Sequence, residues 1–401
     1  MSRLAIDGGR PVRATPMPSW PWFDDEDLAA AADVLSSGRV NYWTGEQGRG
    51  FEHDLAAAVG TAYAVALSNG TVALELALRA LGIGPGDEVI VPAATFIATA
   101  SAVVACGARP VVADVDLGTQ CLTVDTVEAA LSELTRAVIV VHLAGHPADV
   151  GPLQALARRR GLRLVEDCAQ AHGARYRGQG VGTFGDIAAW SFCQDKIVTT
   201  GGEGGAVTTS DEQLYRRCWE LKDHGKSWAA VHRHDHGPGF RWLHDSFGTN
   251  ARMTEMQAAI GRSQLRKLSG WVKQRQANAG VLLDALRLQP AIRVPDPPAD
   301  VEHAYYKFSA NVAPERLAAG WDRNRVIAAI KAEGVPCTHG GCAEIYRERA
   351  FRGITGTPAT LPAAAELGRT SLTLFVHPTL SCTDMSDTAD AVTRVLLAAT
   401  A

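Results

Sequence analysis

The chain has 401 residues, 46% hydrophobic and 20% charged, with a formal net charge of −4. That length can bury a core large enough for two domains. With no basic block longer than Arg158-Arg159-Arg160 there is no positive stripe for nucleic acid, and no apolar run reaches the ~18 residues of a membrane span.

In chain order, Met1–Gly9 breaks off before any signal-peptide core can form. Short apolar runs then predict strands at Ala62–Leu67, Glu88–Val91, Pro110–Asp114, Ala137–His142, Arg163–Glu166, Ile187–Phe192 and Gly205–Thr209. Helix-length segments lie between them at Thr71–Leu81, Phe96–Cys106 and Val150–Arg160. Apolar strands alternating with helices predict an α/β fold with a mostly parallel sheet covered on both faces. Only a loop separates Ile187–Phe192 from Gly205–Thr209, which favours an antiparallel pair there.

A long helical stretch over Met253–Arg275 leads to a connection marked by Pro290, Pro295, Pro297 and Pro298. Beyond it a strand is predicted at Ala304–Val312, a helix at Asp322–Glu333, a strand at Ser371–Val376 and a helix at Asp384–Ala399. These boundaries imply an N-terminal arm (1–24), a large domain (25–270) and a smaller α+β domain (271–401). Eight cysteines without a Cys-x-x-Cys pair fit reduced thiols, and the cytoplasm is the expected compartment.

Three segments converge on strand ends, where open α/β sheets bind ligands. Asn69-Gly70-Thr71 follows one strand and opens a helix, whose N-terminal amides favour phosphate. Asp167 ends the strand Arg163–Glu166. Ser191 and Lys196 sit at and just beyond the end of Ile187–Phe192, ahead of Gly201-Gly202-Glu203-Gly204-Gly205. A lysine for a Schiff base, an acid for a ring nitrogen and donors for a phosphate are what pyridoxal phosphate (PLP) requires. Each piece alone is ordinary: a turn, a helix cap, a solvated lysine. Their joint placement is not explained by folding needs.

Other motifs carry less. Gly225-Lys226-Ser227 resembles the end of a phosphate-binding P-loop, but Glu220 stands where that loop needs glycine. Gly82-Ile83-Gly84-Pro85-Gly86 lies between a helix and a strand, the wrong order for a dinucleotide fingerprint. His232, His234 and His236, with His224 and His244 nearby, have no accompanying cysteine; they are read as lining a substrate entrance rather than a metal site. Arg241 is a candidate partner for a diphosphate. His303, Tyr305, His339, Tyr346 and His377 are candidates for substrate contact.

Over nearly its whole length the chain resembles the DegT/DnrJ/EryC1/StrS family of sugar aminotransferases, within the fold-type-I, aspartate-aminotransferase-like PLP enzymes. The resemblance rests on Leu4–Val12, Ser68-Asn69-Gly70-Thr71, Gly84–Val89, Glu166–Gly173, Ser191-Phe192, Lys196, Gly202–Gly205 and Asn250-x-Arg252-Met253. It implies that Lys196 carries the Schiff base and shuttles the proton, and that Asp167 keeps the pyridine nitrogen protonated. It further implies that Gly70, Thr71 and Ser191 hold the phosphate, that Phe96 stacks on the cofactor and that Gln170 lies beside its ring hydroxyl. Asn250 would reach the phosphate of a second subunit, making a homodimer with shared active sites.

The activity so implied moves an amino group from glutamate or glutamine to a keto-sugar, expected to be a nucleotide-linked keto-deoxysugar. Relatives that aminate keto-cyclitols or make aminohydroxybenzoate share several of these motifs and remain alternatives. A PLP-dependent sugar dehydratase would carry histidine in place of Lys196. A PLP-binding regulator would need an added DNA-binding domain, for which there is no room before Ala62.

Overall fold

A computed structural model describes residues 3–232 and 239–400. Seven strands form the central sheet: β1 (Tyr63–Leu67), β2 (Glu88–Pro92), β3 (Arg109–Ala113), β4 (Thr135–Val141), β5 (Arg163–Asp167), β6 (Ile187–Ser191) and β7 (Gly205–Thr209). Their order is β1-β7-β6-β5-β4-β2-β3. Only β7 runs against the rest, pairing antiparallel with β1 and β6. The expected antiparallel pair is therefore present, in an otherwise parallel sheet. Every predicted strand here lies within a residue or two of its observed bounds, because near-continuous Val/Ile/Ala runs suit strands buried on both faces.

Helices Gly70–Ala80, Ala98–Ala105 and Val150–Arg160 occupy the predicted crossovers. Three helices that hydrophobic patterning did not announce complete the layer: Asp25–Ser37, Gln47–Val59 and Glu212–Lys222. Gln47–Val59 carries two glycines, which weaken local propensity. Packing explains at least one of them: a Cβ at Gly48 would lie 2.9 Å from the Glu255 carboxylate, which accepts the amides of Gln47 at 2.5 Å and Gly48 at 3.0 Å.

The long helix differs from expectation. It spans Glu255–Leu286, starts at a Thr254/Gln257 capping box and runs past Arg275 by three turns. Ala258 and Val272 pack into the core beside β6, whereas Ala279, Leu282 and Leu286 pack into a second core. One helix thus threads both cores. The second core supports a four-stranded antiparallel sheet of β8 (Ile292–Arg293), β9 (Phe308–Val312), β10 (Cys337–His339) and β11 (Ser371–Leu374), in the order β8-β9-β11-β10. The strand expected from Ala304 begins only at Phe308. Tyr305 has a φ of +47°, and the Ala304 amide donates to the Gly145 carbonyl, so residues 304–307 form a bend against the large sheet instead.

Residues near the N-terminus belong to this second core. Leu4 is buried in it, and Glu333 accepts the amides of Ala5 and Val12. All eight cysteines are free thiols. No helix among the described residues is long and apolar enough to cross a membrane.

Candidate functional site

The site forms where β1, β5 and β6 end at the same sheet edge. Asn69 caps helix Gly70–Ala80, its side chain accepting the Val72 amide at 3.0 Å. Gly70 passes so close to the end of β6 that a Cβ would come within 2.6 Å of the Ser191 Cβ. Gly205 is equally constrained, since its Cβ would meet the Asn69 carbonyl at 2.2 Å. The glycines of this region therefore bring a helix N-terminus, with exposed Thr71, against the Ser191 hydroxyl. Backbone amides, two hydroxyls and the positive helix end make an anion cradle.

Asp167 lies at the end of β5 and is buried. Its Oδ2 accepts the Thr99 hydroxyl at 3.0 Å, and its Oδ1 accepts the Ala169 amide at 3.2 Å. Thr99 in turn lies 2.8 Å from Thr95. Burial pushes the Asp167 carboxyl up, opposed by the Ala169 and Thr99 hydrogen bonds and by Lys196. A carboxyl so placed is completed by a cation, and a protonated ring nitrogen is one. Phe96 sits on the turn between Thr95 and Thr99, 66% exposed, an aromatic face beside a buried acid. Gln170 accepts the Ala144 amide at 2.7 Å through Oε1, which leaves its NH2 end to donate to a ligand oxygen.

Behind Asp167, Glu166 and His142 form a fully buried pair at 3.0 Å. The Ala148 amide donates to His142 Nδ1, so the proton lies on Nε2 and points at Glu166. Glu166 also accepts the amides of Gly182, Phe184 and Gly185. Cys168 completes a cluster of metal-ligand types, yet the carboxylate is already occupied by four donors. The pair holds the backbone of β5 in place.

Lys196 is held at both ends. Its carbonyl accepts the Trp20 indole N–H at 2.9 Å. Its Nζ lies 3.8 Å from Asp195 Oδ1 and 4.9 Å from the centre of the Tyr306 ring. Trp20 packs edge-on against Trp271 at 5.1 Å and over the Arg275 guanidinium at 5.0 Å. Arg275 is fully buried, donates to the carbonyls of Tyr305 and Tyr306, and forms no ion pair among the described residues. Burial brings its guanidinium down to about 9.

The substrate candidates divide. His377 is buried beside this cluster, near-parallel to Trp20 at 6.2 Å, and burial together with Arg275 takes it down to about 4. His303 is stacked on Tyr305 at 3.8 Å and accepts the Tyr305 amide, so both are committed to the bend. Tyr346 lies apart from the Lys196 hydrogen-bond cluster. It is buried, its hydroxyl donating to Glu344 at 2.6 Å and accepting the Leu361 amide at 3.1 Å. Arg241 and His339 are exposed and make no hydrogen bond to the Lys196 cluster among the described residues. Asn250 is exposed and paired with Asp223 in an isolated bridge. His232 stacks on Trp228 at 4.1 Å; His234 and His236 lie outside the described residues.

Sequence reasoning missed Thr99, Asp195, Tyr306, Lys307, Arg275 and Trp20 as neighbours of the site. The one available signal was the acid directly before Lys196.

Comparison with known proteins agrees with this geometry. The family described as the DegT/DnrJ/EryC1/StrS aminotransferase family matches residues 21–393. A UDP-N-acetyl-3-dehydro-alpha-D-glucosamine 3-aminotransferase of Acidithiobacillus ferrooxidans is 38% identical over 93% of this chain and 94% of its own length. An L-glutamine:2-deoxy-scyllo-inosose aminotransferase of Micromonospora echinospora is 37% identical over 98% of this chain and 96% of its own. An aminotransferase structure from Psychrobacter cryohalolentis superposes with a TM-score of 0.94 at 49% identity, covering 96% of this chain and all of the other.

Proposed function

The chain belongs to the DegT/DnrJ/EryC1/StrS aminotransferase family, and from that premise we propose that it transfers an amino group from glutamate or glutamine to the ketone of a nucleotide-linked sugar. It is a PLP-dependent aminotransferase of the fold its relatives share. The residues at the strand ends fit the cofactor. The Gly70–Ser191 approach leaves a cradle for its phosphate, and Asp167 is a buried carboxyl that forms no ion pair among the described residues. The observation that carries the reading is the placement of Asp167 and Lys196 on adjacent strand ends of the sheet, with the anion cradle at the same edge.

When bound, PLP supplies an electron sink for the carbanion left by proton loss from the donor's Cα. The protein's part is binding and proton movement. Helix Gly70–Ala80 and Ser191 would hold the phosphate, and Asp167, held by Thr99, would keep the ring nitrogen protonated. Phe96 would pack on the ring, and the Gln170 NH2 would donate to its oxygen. Lys196 would take the proton from the donor's Cα and return it to the carbon on the other side of the transferred nitrogen, acting as base and then as acid. In the second half the keto acceptor uses the same groups in reverse.

The nucleotide-sugar acceptor follows the 38% identity to the Acidithiobacillus enzyme over nearly both whole chains. A keto-cyclitol acceptor is the second reading, favoured by the nearly equal match to the Micromonospora enzyme. The remaining parts of this proposal are a cytoplasmic homodimer in which Asn250 reaches the partner's phosphate, and a division into arm, large and small domains around residues 24 and 270. Purified protein is to be assayed with glutamate and glutamine against keto-nucleotide-sugars and keto-cyclitols. Turnover with a nucleotide sugar is expected. Turnover only with a cyclitol would replace the first reading by the second, and no amine transfer to any ketone would overturn both. In the same preparations, Lys196→Ala should lose the visible Schiff-base band, and a retained band would refute its role.

A further inference from the structure

Asp195 directly precedes the lysine of this site. An exposed adjacent-residue ion pair is worth little, and the Asp195 side chain is 53% exposed. Yet Lys196 beside it and two residues of one distant segment, Tyr306 and Lys307, converge on it. Lys196 Nζ lies 3.8 Å from Oδ1, while Oδ2 accepts the Tyr306 hydroxyl and lies 3.6 Å from Lys307 Nζ. The Tyr306 ring, 6% exposed, has the two ammonium groups 4.9 and 4.8 Å from its centre. Tyr306 is itself held through its carbonyl by the buried Arg275. The carboxylate is therefore anchored from the bend at residues 304–307, not merely from its own loop. The two lysines use different oxygens, so neither displaces the other.

We propose that Asp195 is a positioning residue: the dock that receives the Lys196 amine whenever that amine is not joined to the cofactor. This rests on the reading of Lys196 as the cofactor-bearing lysine. When an incoming ammonium replaces Lys196, its nitrogen forms the new bond to the cofactor carbon and the bond to Lys196 Nζ breaks. That bond is a C=N double bond, and both of its electron pairs stay on Nζ, where with the nitrogen's own lone pair they take up three protons. The three protons of the incoming ammonium end on Nζ, so a positive charge arrives on Lys196 as one is lost from the donor. A carboxylate 3.8 Å away stabilises that charge and keeps the long side chain near the carbon it must serve next. Lys307, on the other oxygen, draws part of the carboxylate's charge, so the docked amine is held without being trapped. Burial alone would push the Asp195 carboxyl up, but Lys196, the Tyr306 hydroxyl and Lys307 outweigh it and hold it below the usual range.

The test uses an amine-acylating reagent on cofactor-free protein at neutral pH, with each lysine followed by peptide mass spectrometry. A docked ammonium is protected, so Asp195→Asn should raise the acylation rate of Lys196 by about tenfold, the scale of one opposite charge at this distance. Asp195→Glu should return it towards the parent rate, and Tyr306→Phe should fall between. Lys222, fully buried against Glu52, reports folding: it must stay unlabelled in each variant. Exposed Lys273 serves as the internal reference. With PLP loaded, Asp195→Asn should slow a single turnover with donor about tenfold at unchanged cofactor retention. An unchanged Lys196 rate in a folded Asp195→Asn protein would overturn the dock and leave the role of Lys196 intact. A Schiff-base band surviving in Lys196→Ala would overturn that role whatever Asp195 does.

Discussion

Thr99 donates a hydrogen bond to Asp167 across 3.0 Å, from the start of helix Ala98–Ala105, 68 residues earlier in the chain. With the Thr99 proton committed to the carboxylate, the 2.8 Å contact to Thr95 is completed by the Thr95 hydroxyl as donor. Two threonines that flank Phe96 thus orient the acid. Thr99→Val should lower turnover by about tenfold, the cost of one hydrogen bond to a buried charged group. Thr99→Ser should recover most of it. Steady-state kinetics with cofactor content measured in parallel separates this from simple cofactor loss.

Gly70→Ala places a methyl group 2.6 Å from the Ser191 Cβ. Neither the strand nor the helix start can yield freely, so the cradle should open. The expected result is a PLP affinity at least about tenfold weaker, with a stability loss of about 1–3 kcal/mol. Equilibrium dialysis and thermal unfolding measure the two. Full affinity in a folded Gly70→Ala protein would remove the phosphate from this position.

His172 is buried between Trp190 and Phe192, and neither ring nitrogen finds a hydrogen-bond partner among the described residues. Burial first, then Lys196 and Arg275, take it down to about 3. The unfolded chain protonates this imidazole near its ordinary value of ~6.5, whereas the folded chain resists until about 3. Its contribution is therefore intact above ~6.5 and is lost progressively as pH falls from there. At pH 5 the loss is about 2 kcal/mol. Chemical denaturation of His172→Phe between pH 7 and pH 5 should show that much less acid destabilisation than the parent. An equal slope in both proteins would place the acid sensitivity elsewhere.

Asn250 is exposed and joined to Asp223, not to the Lys196 cluster. If it serves a second subunit, inactive Lys196→Ala chains mixed with inactive Asn250→Ala chains should regain up to about a quarter of parental activity. That is the share of sites expected to be intact when random exchange makes half the dimers mixed and each mixed dimer holds one intact site. Absence of rescue between folded variants that exchange subunits, or a fully active monomer, would count against sharing.

The strands of the large sheet, its covering crossovers and the positions of Gly70, Asp167, Ser191 and Lys196 were legible in the amino-acid order. Each depends on local information: apolar runs set the strands, a cap or glycine ends them, and a residue just past a strand end must lie at the sheet edge. Helix Gln47–Val59 escaped because Gly48 serves packing against Tyr42 and Glu255, and Gly50 packing against Arg262, rather than local propensity. The partners of Tyr346 could not be read from the chain order either, since the Leu361 amide that its hydroxyl accepts lies 15 residues on.

Thus the chain order by itself determined the α/β architecture and the sheet edge at which Gly70, Asp167, Ser191 and Lys196 gather. Tertiary structure alone decided what holds them. Thr99 reaches Asp167 across 68 residues, Tyr306 reaches Asp195 across 111, and Trp20 reaches Lys196 across 176. No periodicity or turn signal couples positions that far apart. Their contacts exist only because the sheet, the long helix and the bend at residues 304–307 bring three stretches of chain to one place.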